Sequence, residues 1–139
     1  MAQPAFPAVR AAVATYLAAN ITGLRAISNR FGQVNPPCAV IVPETGRLIE
    51  YGQTFDDETN YYLRAILLVS EGDSASGQDL LDGYLSPQGT QSVNAAVRAD
   101  PTLGGAVSYA AVVQAAGYGV MNFNGVDYLA CSLIFNIGT

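Results

Sequence analysis

Apolar positions along the chain switch between helical and alternating spacing, and the switch points mark its elements. Val9, Val13, Tyr16 and Leu17 recur on one helical face. They predict a helix over 8–19, opened by Pro4 and Pro7 where a missing N–H costs nothing. Asn20, which tolerates a left-handed backbone, is the expected stop. Leu24 to Ser28 reads as a short strand, and 29–37 as loop, because Pro36-Pro37 holds the backbone extended. Cys38 to Val42 is apolar and β-branched, a strand by content. Pro43-Glu44-Thr45-Gly46 is good turn chemistry, so 47–51 is expected to return as the second arm of a hairpin. A polar connection over 52–58 leads to a long strand over 59–70, rich in Tyr, Leu and Ile.

The second half opens with two short helices. Leu80, Leu81, Tyr84 and Leu85 form the inward stripe of the first. Asp79 is expected near its start, where the helix dipole favours a carboxylate. A Ser86-Pro87-Gln88-Gly89 turn separates it from the second, with Ser92 as N-cap and Val93, Ala96 and Val97 inward. Pro101 ends that helix. Tyr109 to Ala115 reads as a strand broken at Gly117–Gly119. Asn124-Gly125 between two alternating runs is the preferred two-residue hairpin turn. In the last strand, Leu129, Cys131, Leu133, Phe135 and Ile137 share one face, and Tyr128, Ala130, Ser132, Ile134 and Asn136 the other. At roughly 40 Å it would exceed the usual strand, so it is expected to bend or to reach past the domain edge toward a neighbour. The order predicts one α+β domain over 1–139. It has a mainly antiparallel β-sheet, with an N-terminal helix and a central two-helix segment packed on one face.

Composition changes this picture in one respect. Half of the 139 residues are apolar and only 12% are charged, against roughly 25% in an ordinary soluble domain. Such a chain either exposes neutral polar and apolar surface or buries it against other subunits, and burial in an oligomer is the favoured expectation. A membrane span is not expected, since the longest strongly apolar run, Ala65 to Val69, is far short of the ~20 residues required. Nor is a secretory signal expected, with no basic start ahead of an apolar segment. The formal charge is −5, and every cation is an Arg, scattered singly. A stable grip on DNA needs clustered cations, so DNA could pass nearby but not be held. Cys38 and Cys131 each sit in an apolar run and read as buried thiols rather than a disulfide.

The chemistry that remains is thin. With no His and no Lys, the commonest general base, the commonest metal ligand and any Schiff-base amine are missing from the chain. Asp56-Asp57-Glu58 offers oxygen donors for a divalent cation, but without EF-hand spacing it reads as a solvated acidic loop. Glu71 and Asp73, flanking Gly72, suit a capping or loop role. Asp79 and Asp82 share a helix face that is wet by default. Neither a cofactor nor a metal site is therefore expected. Tyr61 and Tyr62 point to opposite faces of their strand, so at least one should face away from the core; amphipathic rings of this kind are enriched at interfaces, and plain packing on the sheet is an equal alternative.

The run LLDGYLSPQGTQSVNAAVRADPTLGGAV at 80–107 resembles the tail terminators of long-tailed bacteriophages, especially those of actinobacteria. The shared shape is a Leu-Asp-x-Tyr-Leu helix, a Ser-Pro-x-Gly turn, a Ser-Val helix and Asp-x-Thr-Leu-Gly-Gly. Tyr118-Gly119 before a hairpin, Asp127-Tyr128-Leu129 leading into a last strand, and Asn35-Pro36-Pro37 ahead of an apolar strand fit as well. The motif is one of packing, which neighbouring head–tail connector or stopper proteins could share.

The resemblance implies a structural virion protein with no catalytic residues. It would form a hexameric ring that caps the head-proximal end of the tail tube, stops its growth and joins it to the head. Its expected partners are copies of itself, the tail tube protein and a connector or stopper protein. DNA would pass through the lumen without specific binding. Its place would be the virion, and the host cytoplasm during assembly. On this reading Asp56, Asp57, Glu58, Glu71 and Asp73 are expected on loops lining a negative lumen, and Arg30, Phe31, Tyr61 and Tyr62 at the subunit interface. Two other classes stay open: a small carboxylate- or metal-dependent enzyme, and a monomeric binding module using exposed Tyr and loops.

Overall fold

The predicted first helix forms as α1 (Phe6–Asn20). Val9, Val13 and Leu17 recur every fourth residue and are at most 1% exposed, and Ile21 continues their line into the core. The computed structural model describes residues 6–21, 24–27, 37–44, 49–50, 59–70, 74–123 and 125–138. Asn20 does not stop α1 by a left-handed turn, since Leu103 is the one described non-glycine residue with positive φ. Instead its Nδ2 donates to the Tyr16 carbonyl at 2.8 Å, a side-chain bond back onto the last turn of the helix. The Tyr16 hydroxyl donates in turn to the Ala96 carbonyl at 2.8 Å, tying α1 to a later helix.

Among the described residues six strands follow: β1 (Arg25–Ile27), β2 (Cys38–Pro43), β3 (Ile49–Glu50), β4 (Asn60–Ser70), β5 (Tyr109–Phe123) and β6 (Val126–Gly138). They form one sheet in the order β1-β2-β4-β6-β5, with β3 also on β4. The β1–β2 pair is parallel and every other pair is antiparallel. Between β4 and β5 lie α2 (Ser74–Leu85) and α3 (Val93–Ala99). Because β4 and β5 are each antiparallel to β6, they run parallel to one another. The α2–α3 pair is the crossover between them, with β6 inserted in the gap.

The hairpin expected at Pro43–Gly46 does not form. Both β2 and β3 are antiparallel to β4, so they run in the same direction along the same edge. The Glu44 N–H, bonded to the Tyr62 carbonyl at 3.1 Å, continues the ladder past Pro43 rather than reversing it. A long neighbouring strand with unpaired backbone outweighs local turn chemistry here.

The glycines at 117 and 119 do not break β5 either. Gly117 takes φ 74° and, with Tyr118, forms a bulge opposite Cys131 between the Ala116–Ser132 and Gly119–Ala130 pairs. A second irregularity falls at Val113. The hairpin joining β5 to β6 forms where Asn124-Gly125 predicts it, with Phe123 opposite Val126 and Gly125 at φ 83°. Nor does β6 overhang the domain: it is an inner strand, flanked by β4 and β5 along nearly its whole length.

The main core lies between the helices and one face of the sheet. It joins Leu81 and Tyr84 of α2 and Val93 and Val97 of α3 to Leu63, Leu67, Leu133 and Phe135 of the strands. On the opposite face Cys38, Val40, Val42, Leu68, Tyr128 and Ala130 form a smaller cluster. At the sheet's end the Tyr109 ring lies on Gly138 and donates its hydroxyl to Asn60 Oδ1 at 2.5 Å, spanning three strands. A Cβ at residue 138 would overlap that ring. Gly138→Ala is therefore expected to cost about 2 kcal/mol in urea unfolding, as overpacking does. Tyr109→Leu in the same background should recover part of it.

Candidate interaction surface

Of the residues singled out in the sequence, Asp56, Asp57, Glu58, Glu71, Asp73, Arg30 and Phe31 lie outside the described residues. Tyr61 and Tyr62 are described, and both are less than a tenth exposed. Tyr61 joins the main core, and Tyr62, one residue on, points to the other face. Neither ring leaves much area for a neighbour.

The helical segment that carries the phage resemblance proves to be built from structural devices. Ser92 caps α3, accepting from the Ala95 N–H at 3.1 Å, and its hydroxyl donates to the Ser86 carbonyl. The Asp100 carboxylate accepts from the Thr102 N–H at 3.2 Å, the Thr102 hydroxyl at 2.6 Å and the Gly104 N–H at 3.0 Å. The Thr102 and Gly104 bonds hold its pKa below the usual carboxylate value. Leu103, Gly104 and Gly105 all take positive φ, and Leu103 nonetheless buries its side chain. The Asp-Pro-Thr-Leu-Gly-Gly run is thus a strained turn that glycine and an aspartate cap make affordable.

The described titratable groups offer little chemistry. Cys38 and Cys131 are free and buried, on opposite faces of the sheet with β4 between their strands. Burial pushes the Cys38 thiol up to about 11 and raises that of Cys131, so both stay protonated and unreactive at neutral pH. Among the described residues no three His, Cys, Asp or Glu side chains come together as a metal site. Asp79 does not start α2, which begins five residues earlier at Ser74; it sits exposed in the second turn. Asp82, one turn on, accepts from the Tyr118 hydroxyl at 2.8 Å, and that bond is the first cause of a raised Tyr118 pKa. Arg64 is held by Glu44 at 2.8 Å.

What stands out is the β5–β6 hairpin. Val113, Tyr118, Val120 and Val126, the exposed large apolar side chains among the described residues, all belong to it and are 44–59% exposed. No described strand pairs with the outer edge of β5. From Pro101 to Val126 the chain has no charged residue. That gap is legible in the sequence, but its meaning depends on knowing that β5 is an edge. A shallow cleft of about 410 Å³ lies elsewhere, between the alanine face of α1 and Leu103, Gly104 and Ala106. No helix among the described residues is long and apolar enough to cross a membrane. The chain matches no protein-family model and no curated protein sequence.

Proposed function

We propose that this chain is a structural subunit that works by packing against copies of itself, as a tail terminator of a long-tailed bacteriophage. In this role a ring of subunits, six by the family's pattern, caps the head-proximal end of the tail tube and stops its growth. It then presents a face for head joining. The observation that carries the reading is the exposed, charge-free β5 edge in a chain with only 12% charged residues. Proteins that stay solitary guard such edges with Lys, Pro, inward-pointing charge or bulges, and β5 carries bulges but neither a charge nor a Pro. The resemblance over 80–107 supplies the specific role. The absence of His and Lys from the chain supports a protein that makes and breaks no bonds.

Asp56, Asp57, Glu58, Glu71 and Asp73 line the lumen in this proposal. A ring of subunits each carrying −5 would repel phosphate and keep DNA sliding rather than sticking. Replacing the five by Asn and Gln is expected to leave rings on tail tubes intact in electron micrographs while lowering phage infectivity. Unchanged infectivity would remove the lumen assignment. A ring structure with all five on its outer rim would do the same.

A further inference from the structure

The outer edge of β5 lacks most of the usual defences. No described strand pairs with it, and Tyr109–Phe123 holds no charged residue and no Pro. Exposed charges stand on its neighbours, Arg98 on α3, Asp82 on α2 and Asp127 on β6, and not on the strand itself. Val113, Tyr118 and Val120 are exposed along it. A bare edge of this length is a template for any extended chain. Its ladder with β6 is irregular at Val113 and again where Gly117 and Tyr118 stand together opposite Cys131, between the Ala116–Ser132 and Gly119–Ala130 pairs. Gly117 takes φ 74°, the left-handed first position of a glycine bulge.

That second bulge is held from two sides. On the α2 side, Asp82 Oδ1 accepts from the Tyr118 hydroxyl at 2.8 Å. On the β6 side, the Cys131 thiol donates to the Ala116 carbonyl at 3.3 Å. Chain neighbours aside, nothing lies within 4 Å of a Cβ placed on Gly117, so the glycine serves its backbone angle and not a shortage of space. Three separate restraints thus fix one irregularity. We infer that the Gly117–Tyr118 bulge, pinned by Asp82 and Cys131, is a built-in guard that keeps the uncharged β5 edge of the free subunit from zipping onto other strands. The extra residue throws an incoming strand out of register, and its longest regular run would be Gly119–Phe123. Apolar side chains along the hairpin stay available for packing, while backbone pairing along the whole strand is denied. The inference goes beyond the ring reading and does not depend on it.

Deleting Gly117 tests the guard. The deletion leaves Tyr118 alone opposite Cys131 and keeps the pairs on either side, so β5 becomes regular there. In sedimentation velocity the deletion variant, folded by circular dichroism, is expected to shift to β-rich species larger than any the unsubstituted protein forms. Adding Val120→Lys, which puts a charge on the same edge, should reverse the shift. Gly119→Ala, with open space and no positive φ, should cause none. A folded deletion variant that sediments like the unsubstituted protein would overturn the guard. Association that Val120→Lys does not reduce, or that Gly119→Ala equals, would do the same. Should the deletion variant not fold, Gly117→Ala carries the test, since it strains the bulge without crowding it. A smaller shift in the same direction supports the guard, and no shift overturns it. Absence of rings on tail tubes would sink the ring reading and leave this result standing.

Discussion

Phe135→Ala is expected to lower the free energy of unfolding by about 4 kcal/mol, the scale of a large-to-small change in a closed core. Phe135 is fully buried on β6, opposite Leu63 of β4 on one side and Val112 of β5 on the other. It sits where the two longest ladders meet the helices, so collapse around the missing ring would have to move three strands. Against a typical total of roughly 5–15 kcal/mol, that loss leaves a marginal subunit. Urea unfolding followed by circular dichroism reads it as a lower midpoint at constant slope. Ile134→Ala, next along the strand but on the opposite, partly exposed face, should cost clearly less. Equal losses at the two positions would mean that the helix-covered face is not the main core.

Ser92→Ala comes second, at about 2 kcal/mol. Part is the cap, since α3 has only seven residues and loses the acceptor for the Ala95 N–H. The rest is the Ser86 carbonyl, which loses its donor in a part-buried place. One hydroxyl therefore fixes both the start of α3 and the start of the turn that follows α2. Ser92→Thr keeps both bonds and should recover most of the loss. A Ser92→Ala cost below about 0.5 kcal/mol, the range of an ordinary surface change, would show that the two helices do not depend on this link.

These residues also show what the sequence made legible. Local chemistry sufficed where the partner lies a few residues away. Asn124-Gly125 predicted its hairpin, Ser92 its cap, and the alternation along β6 the side that carries Phe135. Errors arose where a distant partner decided. Pro43–Gly46 reads as a reversing turn, yet β2 and β3 both run antiparallel to β4 along the same edge. Gly117 reads as a strand break, yet a paired β6 on the other side turns it into a bulge. The last strand reads as long enough to overhang, yet β4 and β5 are themselves long enough to flank it. Tyr61 and Tyr62 read equally as sheet packing or as interface rings, and both are less than a tenth exposed, which alternation along the strand alone could not decide. The surface that does stand exposed, the β5–β6 hairpin, was visible only as an uncharged stretch. Which stretch forms a free edge is a property of the whole sheet.

The proposed subunit works by contact with its own kind at the end of a tube. Electron microscopy of tail tubes grown with and without this protein, using the tube protein encoded beside it, tests that directly. The prediction is a ring on one end of each tube and a uniform tube length when the protein is present, with overlong, ragged tubes in its absence. Tubes of the same length distribution in both cases, with bare ends, would contradict it.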